Sequence, residues 1–144
     1  TTDPQKRDWL IPVKKWDLPE VAEYGNKFYS PGDRKITLNF ALSEDAPLDP
    51  ATLLKHFSPD KFLIKITPVN PTCEATKNQI KSFADNQGKI QELKKDLEGL
   101  GYEVIVSIGE LEENEIGSNC GQLAMKFLKE KDGTASGSSY RYWN

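Results

Sequence analysis

Several residue types are scarce in this 144-residue chain, and each scarcity argues against a class of protein. Two cysteines, Cys73 and Cys120, are too few for a disulfide scaffold, so we expect a reducing, cytoplasmic setting. One histidine, His56, cannot complete a convincing zinc site with them, so we expect it to be a surface residue. No apolar run approaches the roughly 20 residues that cross a bilayer, so we expect no membrane partner.

A net positive charge and nucleotide-binding motifs are lacking as well. The net charge of −3 disfavours an autonomous nucleic-acid-binding module, because such modules hold phosphates with Lys and Arg. The chain has no phosphate loop, no Gly-x-Gly-x-x-Gly and no Ser-His-Asp order. It starts at Thr1 and its only methionine is Met125, so we expect it to be a processed or partial product.

What remains is an alternation of helices and strands from Asp17 onward. Asp17 and Glu20 have the spacing of a capping box, and Val21, Tyr24 and Phe28 then recur at helical intervals. Further helices are predicted at residues 50–57, around an apolar stripe at 90–100, and at 120–131. Apolar, β-branched segments predict buried strands at residues 34–42, 62–69 and 102–108.

This order predicts an α/β fold with three consecutive βα units and a small parallel sheet. The segments that follow the strands, residues 43–48, 70–75 and 109–119, then share the carboxyl end of the sheet, where such folds bind ligands. Three buried strands cannot close a barrel and would leave a long apolar edge unpaired. We therefore expect half of a larger sheet in residues 1–131, followed by a flexible Gly- and Ser-rich tail in residues 132–144.

Cys120 is the first candidate for chemistry. Ser118 or Asn119 would cap the helix that follows, which places the thiol near the positive end of the helix dipole and favours the thiolate. Gly121 leaves the backbone beside the sulfur open to a substrate. The alternative is a buried free cysteine that acts as a small hydrophobe.

Several motifs of the chain match one enzyme family in order and spacing. They are Arg7-x-x-Leu10-x-Pro12, the strand that ends in Pro-Val-Asn-Pro at residues 68–71, Gly-Tyr-Glu-Val-Ile-Val at 101–106, and Asn-Cys-Gly-Gln-Leu-Ala at 119–124. Residues 3–128 resemble the C-terminal half of the radical S-adenosylmethionine (SAM) enzymes that methylate carbon 2 of adenine in ribosomal and transfer RNA. The resemblance implies the C-terminal half of a partial (βα) barrel.

The resemblance also implies roles for two residues. Cys120 aligns with the cysteine that takes a methyl group from SAM, and Asn70 with a strand-end asparagine that holds the methionine moiety of SAM. An Asn-Pro turn that closes the strand is the other interpretation of Asn70. The implied cofactors are SAM and a [4Fe–4S] cluster. The implied partners are the N-terminal half of the barrel, which would bind that cluster, and an RNA substrate.

The chain departs from the family at two places. The cluster-binding Cys-x-x-x-Cys-x-x-Cys is absent, so the chain alone is not expected to be active. Residues 109–115 carry four glutamates where the family has basic residues, and their charge would repel RNA phosphates. A radical SAM enzyme with a non-RNA substrate and a non-catalytic interaction domain therefore stay open as alternatives.

Three further residues have a possible role in this scheme. Cys73 follows the second strand and is either a resolving thiol for Cys120 or an incidental cysteine. Trp9 and Trp16 are expected to pack the entry segment onto the barrel, with nucleotide stacking as the alternative.

Overall fold

The computed structural model describes residues 1–69, 80–81 and 86–107, and all of them belong to one of the two compact units into which the chain divides. These residues form helices and strands that alternate along the chain. In order they are α1 (Pro4–Leu10), α2 (Leu18–Phe28), β1 (Ile36–Leu42), α3 (Pro50–His56), β2 (Phe62–Pro68), α4 (Gln87–Gly99) and β3 (Val104–Val106). The helix predicted at 120–131 and the tail at 132–144 lie outside the described residues.

The strands form a parallel sheet in the order β1-β2-β3, which confirms the predicted α/β class and its strand topology. β2 is the central strand. Asn39 of β1 is opposite Lys65, and Lys65 is opposite Ile105 of β3. Because parallel neighbours in register point to the same side of a sheet, these residues share one face.

Three of the helices begin with an aspartate cap and a proline in the first turn. The carboxylates of Asp3, Asp17 and Asp49 each accept the backbone N–H three residues ahead, and Glu20 closes the predicted capping box on Asp17. The sequence analysis did not predict α1, although Asp3-Pro4 carries the same signal as the correctly predicted start at Asp49-Pro50.

The core lies between the sheet and a layer made by α2, α3 and α4. The helices contribute the buried side chains of Ala22, Leu53, Ile90 and Leu97. The sheet contributes Leu42, Phe62, Ile64 and Ile66. Tyr102 joins this core, and its hydroxyl donates a hydrogen bond to the backbone carbonyl of Phe57. Burial raises the pKa of the Tyr102 hydroxyl above its ordinary value.

The prediction that the strands are buried throughout is wrong. Burial alternates along β1 and β2, so that every second residue faces the helices and the residues between them are more accessible. The more accessible positions form what we call the open face, which consists of Thr37, Asn39, Ala41, Leu63, Lys65, Thr67 and Ile105. Asn39 and Lys65 interrupt apolar segments that otherwise resemble fully buried strands, and polar groups without partners are costly to bury.

The side of α2 that is buried also differs from the side that the sequence pattern predicts. Tyr24 and Phe28 are 57% and 69% exposed, whereas Ala22 and Gly25 are buried. Gly25 determines this orientation, because its missing side chain lets α2 approach Phe62 closely. The Trp16 ring contacts that of Tyr24 at 5.2 Å between centroids, with the ring planes tilted by 47°, and it stays 53% exposed. Trp9 is similarly exposed, at 52%.

Within the described ranges, no helix is both long and apolar enough to cross a membrane.

Candidate functional site

Three residues that the sequence proposes for chemistry, Cys120, Asn70 and Cys73, lie outside the described residues. His56, expected at the surface, is half-buried at the end of α3 and contacts the Phe57 ring edge-on. No cluster of three or more His, Cys, Asp or Glu side chains that could hold a metal occurs in the part of the chain that the structure describes.

The carboxyl end of the sheet has the predicted arrangement where it is described. β1 ends at Leu42 and β2 at Pro68, in register with each other. The Val69 N–H donates to the Leu42 carbonyl at 2.9 Å, which holds the two strand ends together. Asn70 follows Val69 directly in the sequence. The segment after β1 begins with Ser43, whose side chain is buried.

Polar groups converge on the open face near this end of the sheet. The Thr67 hydroxyl donates to Oδ1 of Asn39 at 3.0 Å, across β2 and β1. Asn39 is opposite Lys65 in the register of the two strands. The face therefore presents an amide, a hydroxyl and an ammonium group on adjacent positions, all from strands that the helix layer supports from behind.

A groove of about 460 Å³ runs beside β1. Its walls are mainly apolar and come from α1, α2 and β1, with Leu10, Ile11, Leu18, Val21, Leu38 and Phe40 among them. Arg7 contributes a guanidinium group to the lining and donates a hydrogen bond to the Trp16 carbonyl at 2.6 Å. Asn39 also lines the groove, so it is continuous with the open face.

The outer edge of β1 has no partner strand among the described residues. The Ile36 N–H donates a hydrogen bond to the Lys61 carbonyl, and the Leu42 carbonyl accepts one from the Val69 N–H. Ile36 and Leu42 therefore turn their backbone groups toward β2. Because the direction alternates along a strand, the backbone groups of Thr37, Asn39 and Ala41 point to the outer edge. This edge can therefore accept a further parallel strand.

The sequence analysis did not identify Asn39, Lys65 and Thr67 as candidate site residues. The signal was present, because each strand has two polar residues two positions apart, Thr37 and Asn39 in β1 and Lys65 and Thr67 in β2. An alternation of apolar and polar residues indicates a strand with one covered face. The overall apolar character of both segments concealed it.

Comparison of the chain with protein-family models, with curated protein sequences and with solved structures gives no match.

Proposed function

We propose that this chain forms part of a radical SAM (βα) barrel and functions in methyl transfer to an RNA adenine, with Cys120 as the methyl carrier. The observation that supports this proposal is a parallel sheet with α2, α3 and α4 packed on one face, while the other face carries Asn39, Lys65 and Thr67. Parallel sheets are normally covered on both faces. In a (βα) barrel the second face is the interior, and ligands bind at the carboxyl end of its strands.

The edge of β1 is the place where the rest of the barrel would join. The backbone groups of Thr37, Asn39 and Ala41, which have no partner strand among the described residues, could pair there with a further parallel strand. The apolar groove beside it would receive side chains of the incoming βα unit. The partner is thus the half of the barrel that precedes β1 in the order of strands.

The chain can supply only some of the groups that this chemistry requires. A [4Fe–4S] cluster needs more cysteine thiolates than the two that the chain contains, so the cluster does not fit this chain and the other half must hold it. SAM, when bound, supplies the methyl group. Asn70 is proposed to hold its methionine moiety, since an amide both donates and accepts hydrogen bonds. Cys120 is proposed to accept the methyl group on its sulfur.

The test is methyl transfer from SAM with a labelled methyl group to the protein, assayed together with the polypeptide that holds the cluster after reconstitution with iron and sulfide. We expect Cys120→Ala to abolish labelling of the chain, because the sulfur that accepts the methyl group is removed. Cys73→Ala is the matched control and should be labelled as the wild type is. Equal labelling of Cys120→Ala, or an unlabelled wild type, would show that the methyl-carrier role is wrong.

The acidic segment at residues 109–115 favours a second candidate, a radical SAM enzyme with a non-RNA substrate. Binding of a transcribed RNA at moderate salt separates the two, since only the RNA-modifying enzyme should bind it. A third candidate, a non-catalytic interaction domain, is favoured by the unpaired β1 edge alone and predicts partner binding without any labelling.

A further inference from the structure

We infer that Lys65, Asn39 and Thr67 form a binding site for an oxyanion, a carboxylate or phosphate group of a small ligand, on the open face of the sheet. The inference does not depend on the proposed function, because it concerns binding alone and involves neither Cys120 nor Asn70. It begins from the position of Lys65, in the middle of the central strand.

Lys65 is half-buried and has no ion-pair partner among the described residues. Two other half-buried lysines, Lys15 and Lys35, each lie 2.6 Å from a carboxylate oxygen. The Lys65 ammonium group therefore keeps its charge and its hydrogen-bond donors for a ligand. An anion on the open face would accept these hydrogen bonds and balance the charge.

Asn39 is oriented to contribute a second donor. Its Oδ1 accepts the Thr67 hydroxyl at 3.0 Å, so the side-chain N–H groups of Asn39 are the ones left for a ligand. Asn39 and Lys65 are opposite each other on strands that lie about 4.8 Å apart. An amide donor and an ammonium donor therefore flank the same area.

The residues around Lys65 favour an anionic ligand over a cationic one. None of the seven residues of the open face is Asp or Glu, and Glu103, two residues before Ile105 on the same side of the sheet, is ion-paired with Lys35 at 2.6 Å. Leu63 precedes Lys65 by two residues on β2, and Ile105 is opposite it on β3. These apolar neighbours lower the local polarity, which strengthens charge-assisted hydrogen bonds. They also offer a surface for the apolar part of a ligand.

The test is a titration of the ¹⁵N-labelled full chain with inorganic phosphate and, separately, with acetate at constant ionic strength, with chloride as the reference. We expect the side-chain amide signal of Asn39 to shift with at least one of the two anions, and the one that binds more tightly identifies the ligand group. Lys65→Met should weaken binding about tenfold or more, the range expected for the loss of a hydrogen bond to a charged group. Lys55→Met is the control, because Lys55 is exposed on α3 in the helix layer, and it should bind as the wild type does.

A second variant keeps the test decisive if Lys65→Met does not fold. Asn39→Asp is nearly isosteric and still accepts the Thr67 hydroxyl, but it places a carboxylate opposite Lys65. We expect this variant to stay folded and to lose anion binding, because the new carboxylate neutralises the ammonium group. The inference is overturned if Lys65→Met and Lys55→Met bind equally well, if Asn39→Asp binds like the wild type, or if neither anion shifts the Asn39 signal.

Discussion

Gly25 is the residue at which α2 comes closest to the sheet. A Cβ atom added there would lie 2.7 Å from two ring atoms of Phe62 and 3.5 Å from Ile36. Phe62 is fully buried, and its ring packs edge-on against that of Phe57 at 5.1 Å, so it has little room to move. The identity of this one residue therefore sets both the distance of the helix and the face that it buries.

We expect Gly25→Ala to lower the free energy of unfolding by about 1–3 kcal/mol, the usual cost of overpacking a core. Urea denaturation followed by circular dichroism measures this difference. Gly99→Ala is the matched control, since no heavy atom lies within 4 Å of its added Cβ and alanine favours the helix. A Gly25→Ala protein as stable as Gly99→Ala would contradict the close approach of α2.

At the scale of elements, local side-chain chemistry fixes where the helices begin. Asp49 shows this for α3, because its carboxylate accepts hydrogen bonds from both the backbone N–H and the hydroxyl of Thr52. These bonds favour the ionised carboxylate and hold the pKa of Asp49 below its ordinary value. The cap connects the segment after β1 to the helix that carries the buried Leu53.

Asp49→Ala should destabilise the protein by about 1 kcal/mol at neutral pH, whereas Asp49→Asn should retain most of the cap. The sign of the pH dependence follows from the lowered pKa. The cap contributes its full stability above the unfolded-state pKa, for which the ordinary value is 3.8, and loses it as the pH falls through the lower pKa of the folded state. Denaturation at neutral and at acidic pH measures both effects.

Asp45→Ala provides the control for this experiment, because Asp45 is an exposed carboxylate in the same segment. It should leave stability unchanged at both values of pH. If the Asp49→Ala variant is as stable as the Asp45→Ala variant at neutral pH, the cap does not stabilise α3.

At the scale of the whole molecule, the sheet has one covered face and one strand edge without a partner among the described residues. Such an edge pairs readily with other strands. In the absence of the proposed barrel partner, the β1 edge of one copy is available to a second copy. The apolar groove beside it adds to this tendency.

We expect the chain alone to self-associate in sedimentation velocity experiments over a range of concentrations. Ala41→Pro should reduce this association, because the Ala41 N–H points to the outer edge and proline removes it without breaking the ladder to β2. Circular dichroism should show that the variant keeps its secondary structure. A wild-type chain that stays monomeric throughout would argue against a half-barrel.

The sequence by itself determined the order of α2, α3, α4 and the three strands, the caps at Asp17 and Asp49 and the parallel topology, because capping and hydrophobic patterns act over a few residues. Only the tertiary structure decided which side of β1 and β2 is covered and which face of α2 is buried. It also brought Asn39, Lys65 and Thr67 together, since their proximity depends on the register of strands more than 20 residues apart in the chain. The predicted Cys120 and Asn70 remain predictions from the sequence. Burial and register depend on what packs against an element, and a single segment does not contain that information.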